Sequence, residues 1–203
     1  MTNWNEAIFD RGQVREKKRE ALVMQAALEF RKRGYHATSM DDIATALGVS
    51  KATLYRYVKS KDEVLYECFM HANAISKAVM AKAFKLDAPA AEKLGYFLVE
   101  FLRQYIDSNI AGGAMVEIDA LLPAQRREVT KGRDLITSQL KALIEMGIKD
   151  GSISEENPKL MIFAFMGAVN WVPSWFSPKG EFTSEEIATH IGKILLDGIR
   201  SRP

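Results

Sequence analysis

Between Thr38 and Lys61 the chain reads T-S-M-D-D-I-A-T-A-L-G-V-S-K-A-T-L-Y-R-Y-V-K-S-K, a stretch that leaves little choice of local structure. Ser39 is followed three residues later by Asp42, a pattern in which a hydroxyl and a carboxylate satisfy the amides left unpaired at a helix start. A helix is therefore predicted to begin near Met40. Ile43, Ala44 and Leu47 put one apolar stripe inward, and Gly48 supplies the backbone freedom to stop and turn. Val49 is expected to plug the corner. Ser50 caps a second helix, whose Leu54 and Val58 share the inward face. That leaves Lys51, Ala52, Thr53, Tyr55, Arg56 and Tyr57 on a surface that core packing does not require.

The exposed set has chemistry suited to a nucleic-acid duplex. Lys and Arg meet phosphates or guanine edges, Thr and Tyr hydroxyls meet phosphates, and a small Ala allows close approach. A solvated polar face is the other reading of such a surface. Two capped helices, a Gly turn and interleaved basic and aromatic residues agree with each other, and together they point to a helix-turn-helix that reads DNA.

The run from about Arg19 to Leu65, with A-A-L-E-F, G-Y-H-A-T-S-M-D-D-I-A, L-G-V-S-K-A-T-L-Y-R-Y-V and S-K-D-E-V-L, resembles the N-terminal domain of the TetR family of bacterial transcriptional regulators. The resemblance implies an all-α homodimer whose second domain binds a small ligand that lowers DNA affinity. Carried over by position, it implies that Thr38 and Ser39 touch phosphates at one edge and that Lys51, Ala52, Thr53 and Tyr57 face the bases. Tyr55 and Lys61 would lie on the backbone, and Arg56 joins the set with a less defined place.

With 203 residues, 47% of them apolar, the chain can bury a sizeable core, enough for one DNA-reading domain and one larger domain. Boundaries are expected at 1–62 for the arm and head and 63–203 for the body. The single cysteine, Cys68, cannot form an intramolecular bridge, which fits a reducing cytoplasm. It reads as a small buried apolar residue, with a redox switch as the alternative. The sequence contains neither a run of eighteen apolar residues nor the basic-then-apolar order of a signal peptide near Met1, so a cytoplasmic protein with no membrane partner is expected. The stretch from Arg11 to Lys61 carries twelve Lys and Arg against five Asp and Glu, a balance of +7, so the remainder of a chain with net charge +2 is −5. That asymmetry suits a nucleic-acid-binding head on a body that is not one.

Nine helices and no strand are expected, hence an all-α fold. The first firm helix spans about Arg15 to Arg33, preceded either by a basic arm or by a frayed helix start. Ser60 with Glu63 opens a long helix to about Leu86; further helices are predicted from Ala90 to Asn109, Ala114 to Leu122, Pro123 to Asp150, from Pro158 to a kink or end at Pro173, and from Ser184 past Ile199. In the TetR family the last two helices pack against their copies, which would place two reading helices about 34–36 Å apart for a palindromic operator. Phe163, Ile187, Ile191 and Ile194 are interface candidates, with intrachain core as the other reading of each.

Phe97, Phe101, Tyr105, Met115, Met161, Phe165 and Trp171 come from different helices and could either surround an apolar ligand or fill a solid core. The segment G-A-V-N-W-V-P-S-W-F-S-P-K-G-E resembles a region of TetR-type regulators that sense acyl-coenzyme A thioesters. An acyl-CoA or another long apolar anion is the effector this implies, with Arg103, Arg126, Arg127 or Arg133 as anion partners. The sequence contains no G-x-S-x-G, G-x-G-x-x-G, phosphate-loop or H-E-x-x-H motif, and its three histidines, His36, His71 and His190, are scattered. No catalytic residue, metal site or cofactor is expected. A repressor released by its ligand is the reading adopted; a ligand-independent regulator, an activator, or an enzyme bearing a DNA-binding head are its rivals.

Overall fold

The computed structural model describes residues 11–108 and 117–201. These residues form α1 (Arg11–Arg33), α2 (Met40–Leu47), α3 (Lys51–Leu54), α4 (Lys61–Lys85), α5 (Ala90–Asp107), a 3-10 turn at Ile118–Ala120, α6 (Pro123–Asp150), α7 (Pro158–Trp175) and α8 (Ser184–Asp197). The described residues thus hold eight α-helices and one 3-10 turn, whereas nine helices were expected. The short helix predicted from Ala114 lies partly outside the described residues, and its described end is the 3-10 turn.

Side-chain caps begin several helices where the sequence places them. Ser39 Oγ accepts from the Asp42 amide while the Asp42 carboxylate accepts from the Ser39 amide, and Gly48 closes α2 in the left-handed region at φ 66°. Ser50 and Ser60 cap α3 and α4 through the amides of Thr53 and Glu63. Asn157 caps α7, and Thr183 with Glu186 forms the box at the start of α8. α5 begins without a side-chain cap of its own; its first amides donate instead to Asp150 Oδ2 (3.0 Å) and Ser152 Oγ (3.1 Å) at the end of α6.

Some local details differ from what the sequence suggests. α1 is already helical at Arg11, four residues before the expected start, so Arg11 and the basic run Arg15 to Arg19 lie on one helix. α3 is α-helical only from Lys51 to Leu54; the following Arg56 and Tyr57 amides make i,i+3 bonds to Thr53 and Leu54 carbonyls, which tightens the chain into a turn. α7 continues through Pro173 to Trp175, so of the two outcomes expected there, a kink or an end, the proline does not end the helix. Val49, expected as a buried plug, is exposed, because Ile43, Ala44 and Leu54 already fill the corner.

Two apolar cores are joined along α4. The head core gathers Leu22, Ala26, Phe30, Ile43, Leu54 and Val58 with Val64, Leu65, Cys68 and Phe69 of α4. The body core takes Val79, Met80 and Ala83 from the far end of α4 and packs them with α5, α6, α7 and α8. Leu121 and Val129 belong to the head core although they lie in the body sequence, so a cut after residue 62 would divide one apolar cluster. In the body, α5 and α8 approach closely: a Cβ placed on Gly192 would lie 2.5 Å from Val99 Cγ2.

Candidate nucleic-acid interface and body cavity

The head offers a short, capped surface. Ala52, Tyr55 and Arg56 are exposed, Thr53 and Tyr57 half-buried. Thr53 Oγ1 lies 2.9 Å from Ser50 Oγ, and Lys51 Nζ donates to Asp41 at 2.9 Å across the turn. That exposed carboxylate restrains Lys51 by hydrogen bonding and charge, raising its pKa, and a duplex phosphate or base edge has to displace it. Ser39 is exposed, but its hydroxyl already serves the α2 cap, donating to Asp42 Oδ2 at 2.6 Å. The same bonds hold the Asp42 carboxyl below its usual range.

Two residues assigned to phosphates by resemblance point elsewhere. Thr38 is 1% exposed, and its hydroxyl donates to the Gly34 carbonyl at 2.8 Å, closing the loop after α1. Its side chain is structural here because a buried hydroxyl must find an acceptor. Lys61 Nζ donates to the Tyr35 and Thr38 carbonyls, 2.9 Å each, and sits 4.3 Å from the Tyr35 ring centroid. It pins the α1–α2 loop to the start of α4. Tyr35 also donates to Asp62, and burial with that carboxylate pushes its phenol far above the ordinary range.

The body contains a cavity of about 480 Å³ between α4, α5, α6 and α7. Of the residues offered for a ligand, Phe101, Tyr105 and Trp171 line it, whereas Phe97, Met161 and Phe165 do not. Those three are buried in the solid core, although Phe97 stacks on Phe101 at 5.5 Å and Phe101 on Tyr105 at 5.4 Å. Met115 lies outside the described residues. Of the four arginines offered for an anion, Arg133 lines the cavity. Arg103 pairs with Glu100 and Asp107, Arg126 with Asp119, and Arg127 is exposed away from the cavity. Burial lowers the Arg133 pKa and raises that of the Tyr105 phenol, so each favours its neutral form more than it would in water.

The four interface candidates divide. Ile194 is 70% and Phe163 59% exposed, and Phe163 also stands at the cavity wall. Ile187, only 7% exposed, belongs to the chain's own core, and Ile191 packs partly against it. Leu160, Trp171 and Trp175 extend the exposed apolar face of α7.

Residues 22–68 match the family described as bacterial regulatory proteins, tetR family, and residues 87–199 match the tetracyclin repressor-like C-terminal domain. The chain belongs to the TetR family. It is a DNA-binding transcriptional regulator. A TetR relative, the HTH-type transcriptional repressor KstR2 of Rhodococcus jostii, is 28% identical over 191 residues, covering 91% of this chain and 92% of that one. The TetR regulator PfmR of Thermus thermophilus superposes with a TM-score of 0.77 at 31% identity, over 87% of this chain and 97% of PfmR. AibR, solved with isovaleryl coenzyme A and operator DNA, shares the TetR fold with a TM-score of 0.74 at 24% identity, over 88% and 98% of the two chains.

This TetR cavity also has lining residues that periodicity missed. Asn73 and Ser76 of α4 and Asn170 of α7 reach it. Asn73 Nδ2 donates to the Val129 carbonyl at 3.2 Å, while Asn170 Oδ1 is buried with no hydrogen-bond partner. A lone amide in the apolar run M-I-F-A-F-M-G-A-V-N-W was the available signal. Among the described residues, no helix is long and apolar enough to cross a membrane, and no group of three or more His, Cys, Asp or Glu side chains could hold a metal ion.

Proposed function

We propose that this regulator is a cytoplasmic repressor that leaves a palindromic operator when an acyl-CoA thioester, or a related amphipathic anion, occupies the body cavity. The observation that carries this reading is the composition of the cavity. Aromatic and aliphatic walls accept an acyl chain, Arg133 supplies one partly buried positive charge, and Asn170 Oδ1 offers an acceptor to a ligand amide or hydroxyl. Such a volume suits the acyl end of a thioester, leaving the nucleotide end outside.

The DNA-facing set is Lys51, Ala52, Thr53, Tyr55, Arg56 and Tyr57, with Ser39 at the edge. Lys61 and Thr38 act by holding the loop that carries α2. Head and body divide near residue 62 in sequence, with α4 as the shared element. Dimerisation uses the exposed face of α7 and α8, including Phe163 and Ile194, and presents two reading turns to successive major grooves. The chain acts by binding and not by turnover. An effector that favours a body shape incompatible with operator spacing must weaken DNA binding by the same coupling free energy with which DNA weakens effector binding.

The test is an electrophoretic titration on a duplex selected from a random library by the protein itself, with isovaleryl-CoA, longer acyl-CoAs, free CoA and free fatty acids added in turn. Release by acyl-CoAs and not by free CoA is expected. Unchanged complexes with every thioester, together with no shift in melting temperature, would rule the effector class out.

A further inference from the structure

A second cavity, of about 460 Å³, lies on the head between α1 and the end of the helix-turn-helix and is lined by Val14, Arg15, Lys18, Arg56 and Tyr57. Arg15 and Lys18 belong to the first part of α1, and Arg56 and Tyr57 lie in the turn after α3 and its C-cap Tyr55. Several other cations of the head are neutralised by the chain itself: Arg19 by Glu63 and Glu67, Lys32 by Glu29, Arg33 by Glu29 and Asp42, Lys51 by Asp41. No carboxylate among the described residues forms an ion pair with Arg15, Lys18 or Arg56. Within the cleft, Arg15 Nη2 donates to the Arg56 carbonyl at 3.5 Å.

Three uncompensated cations beside one phenol raise the local potential and favour an anion that bridges them. We propose that this cleft is a phosphodiester-binding subsite, which grips the DNA backbone next to the groove read by α3 and brings Arg15 and Lys18 of α1 into the interface. The inference rests on the reading of the head as a DNA interface and extends it beyond the helix-turn-helix. A duplex is favoured over a lipid surface because the cleft shares Arg56 and Tyr57 with the reading turn. Val14 is its one aliphatic lining residue, too little apolar surface for insertion among acyl chains. Phosphate is favoured over a base edge because point charges on a concave wall meet the repeating backbone charge of DNA without needing a sequence.

The experiment measures binding of the full chain to its library-selected duplex by fluorescence anisotropy across a salt series. Three proteins are compared: the parent, the double variant Arg15→Gln with Lys18→Gln, and the charge-retaining pair Arg15→Lys with Lys18→Arg. The Gln pair is expected to bind roughly tenfold more weakly. It should select the same sequence as the parent and lower the slope of log affinity against log salt by about 1.8 per protomer, two phosphate contacts' worth. The charge-retaining pair should keep the parent's slope, and matching circular dichroism and melting curves separate these effects from unfolding. A parent that binds its duplex specifically, alongside a folded Gln pair with unchanged affinity and slope, overturns the subsite while leaving the DNA-reading head intact. Loss of binding to phosphatidylserine vesicles by the Gln pair with unchanged DNA binding overturns it in favour of a membrane. A parent that enriches no sequence and binds no duplex overturns the reading of the head and this subsite with it.

Discussion

The Arg133 guanidinium lies 5.0 Å from the centroid of the Phe69 ring, so a cation of the body cavity rests on a side chain that also belongs to the core of the DNA-reading head. Phe69 is 1% exposed and stands on α4, which begins at the Ser60 cap beside the reading turn and ends in the body core. A ligand drawn to Arg133 therefore acts within van der Waals reach of a residue whose other face is packed in the head. Under the proposed function, this shared residue is where an effector in the cavity would reach the head, and such coupling acts in both directions.

Arg133→Gln tests the cavity directly. Removing the charge is expected to weaken acyl-CoA binding about tenfold or more, the usual effect of losing a hydrogen bond to a charged group. Arg133→Lys should recover part of it, since a point charge remains but the planar fork does not. Isothermal titration with isovaleryl-CoA measures both; equal affinities for parent and Gln variant would remove Arg133 from the effector site.

Thr38 and Tyr55 should separate stability from DNA binding. Thr38→Val strands the Gly34 carbonyl and is expected to cost about 1–3 kcal/mol in urea denaturation, with Thr38→Ser closer to the parent. Tyr55, 43% exposed, should tolerate Ala within about 0.5 kcal/mol of parent stability and yet lose operator affinity. The reverse assignment of effects would restore Thr38 to the DNA surface and take Tyr55 off it.

The α8 isoleucines should divide the same way between assembly and folding. Ile194→Glu places a charge on an exposed position and is expected to yield folded monomers in sedimentation, with operator affinity falling as the second reading turn is lost. Ile187→Glu buries a charge in the body core and should unfold the chain, a cost of several kcal/mol. A stable dimer in the Ile194 variant would move the interface to another face.

Cys68 supplies a pH-dependent test. It is buried in the head core, and desolvation pushes its thiol from 9.0 up to about 12. The native state therefore keeps its proton where the unfolded chain has lost it. Since the slope of unfolding free energy with pH follows protons bound unfolded minus folded, this group's contribution to stability falls as pH rises from about 9 towards 12. Ellman's reagent at pH 8 should react with the folded protein only at the rate of opening and immediately in denaturant; fast reaction of the native protein would place the thiol at the surface.

Local chemistry alone specified much of this molecule. Ser39 with Asp42, Ser50, Ser60 with Glu63, Pro123 and Asn157 mark helix starts because a cap or an N1 proline acts within one turn, and Gly48 marks a stop because it accepts a positive φ. The all-α fold and the basic reading surface follow from such short-range signals. Periodicity could not tell Phe101 from Phe97, which share one stripe of α5 four residues apart: one faces the cavity and the other is packed solid, according to where α4, α6 and α7 leave space. Contacts distant in sequence also turned Lys61 inward to the α1–α2 loop, capped α5 through Asp150 and Ser152, and drew Leu121 and Val129 into the head core. Burial and hydrogen-bond partnership depend on which elements meet, and that is settled when the helices pack, not when each one forms.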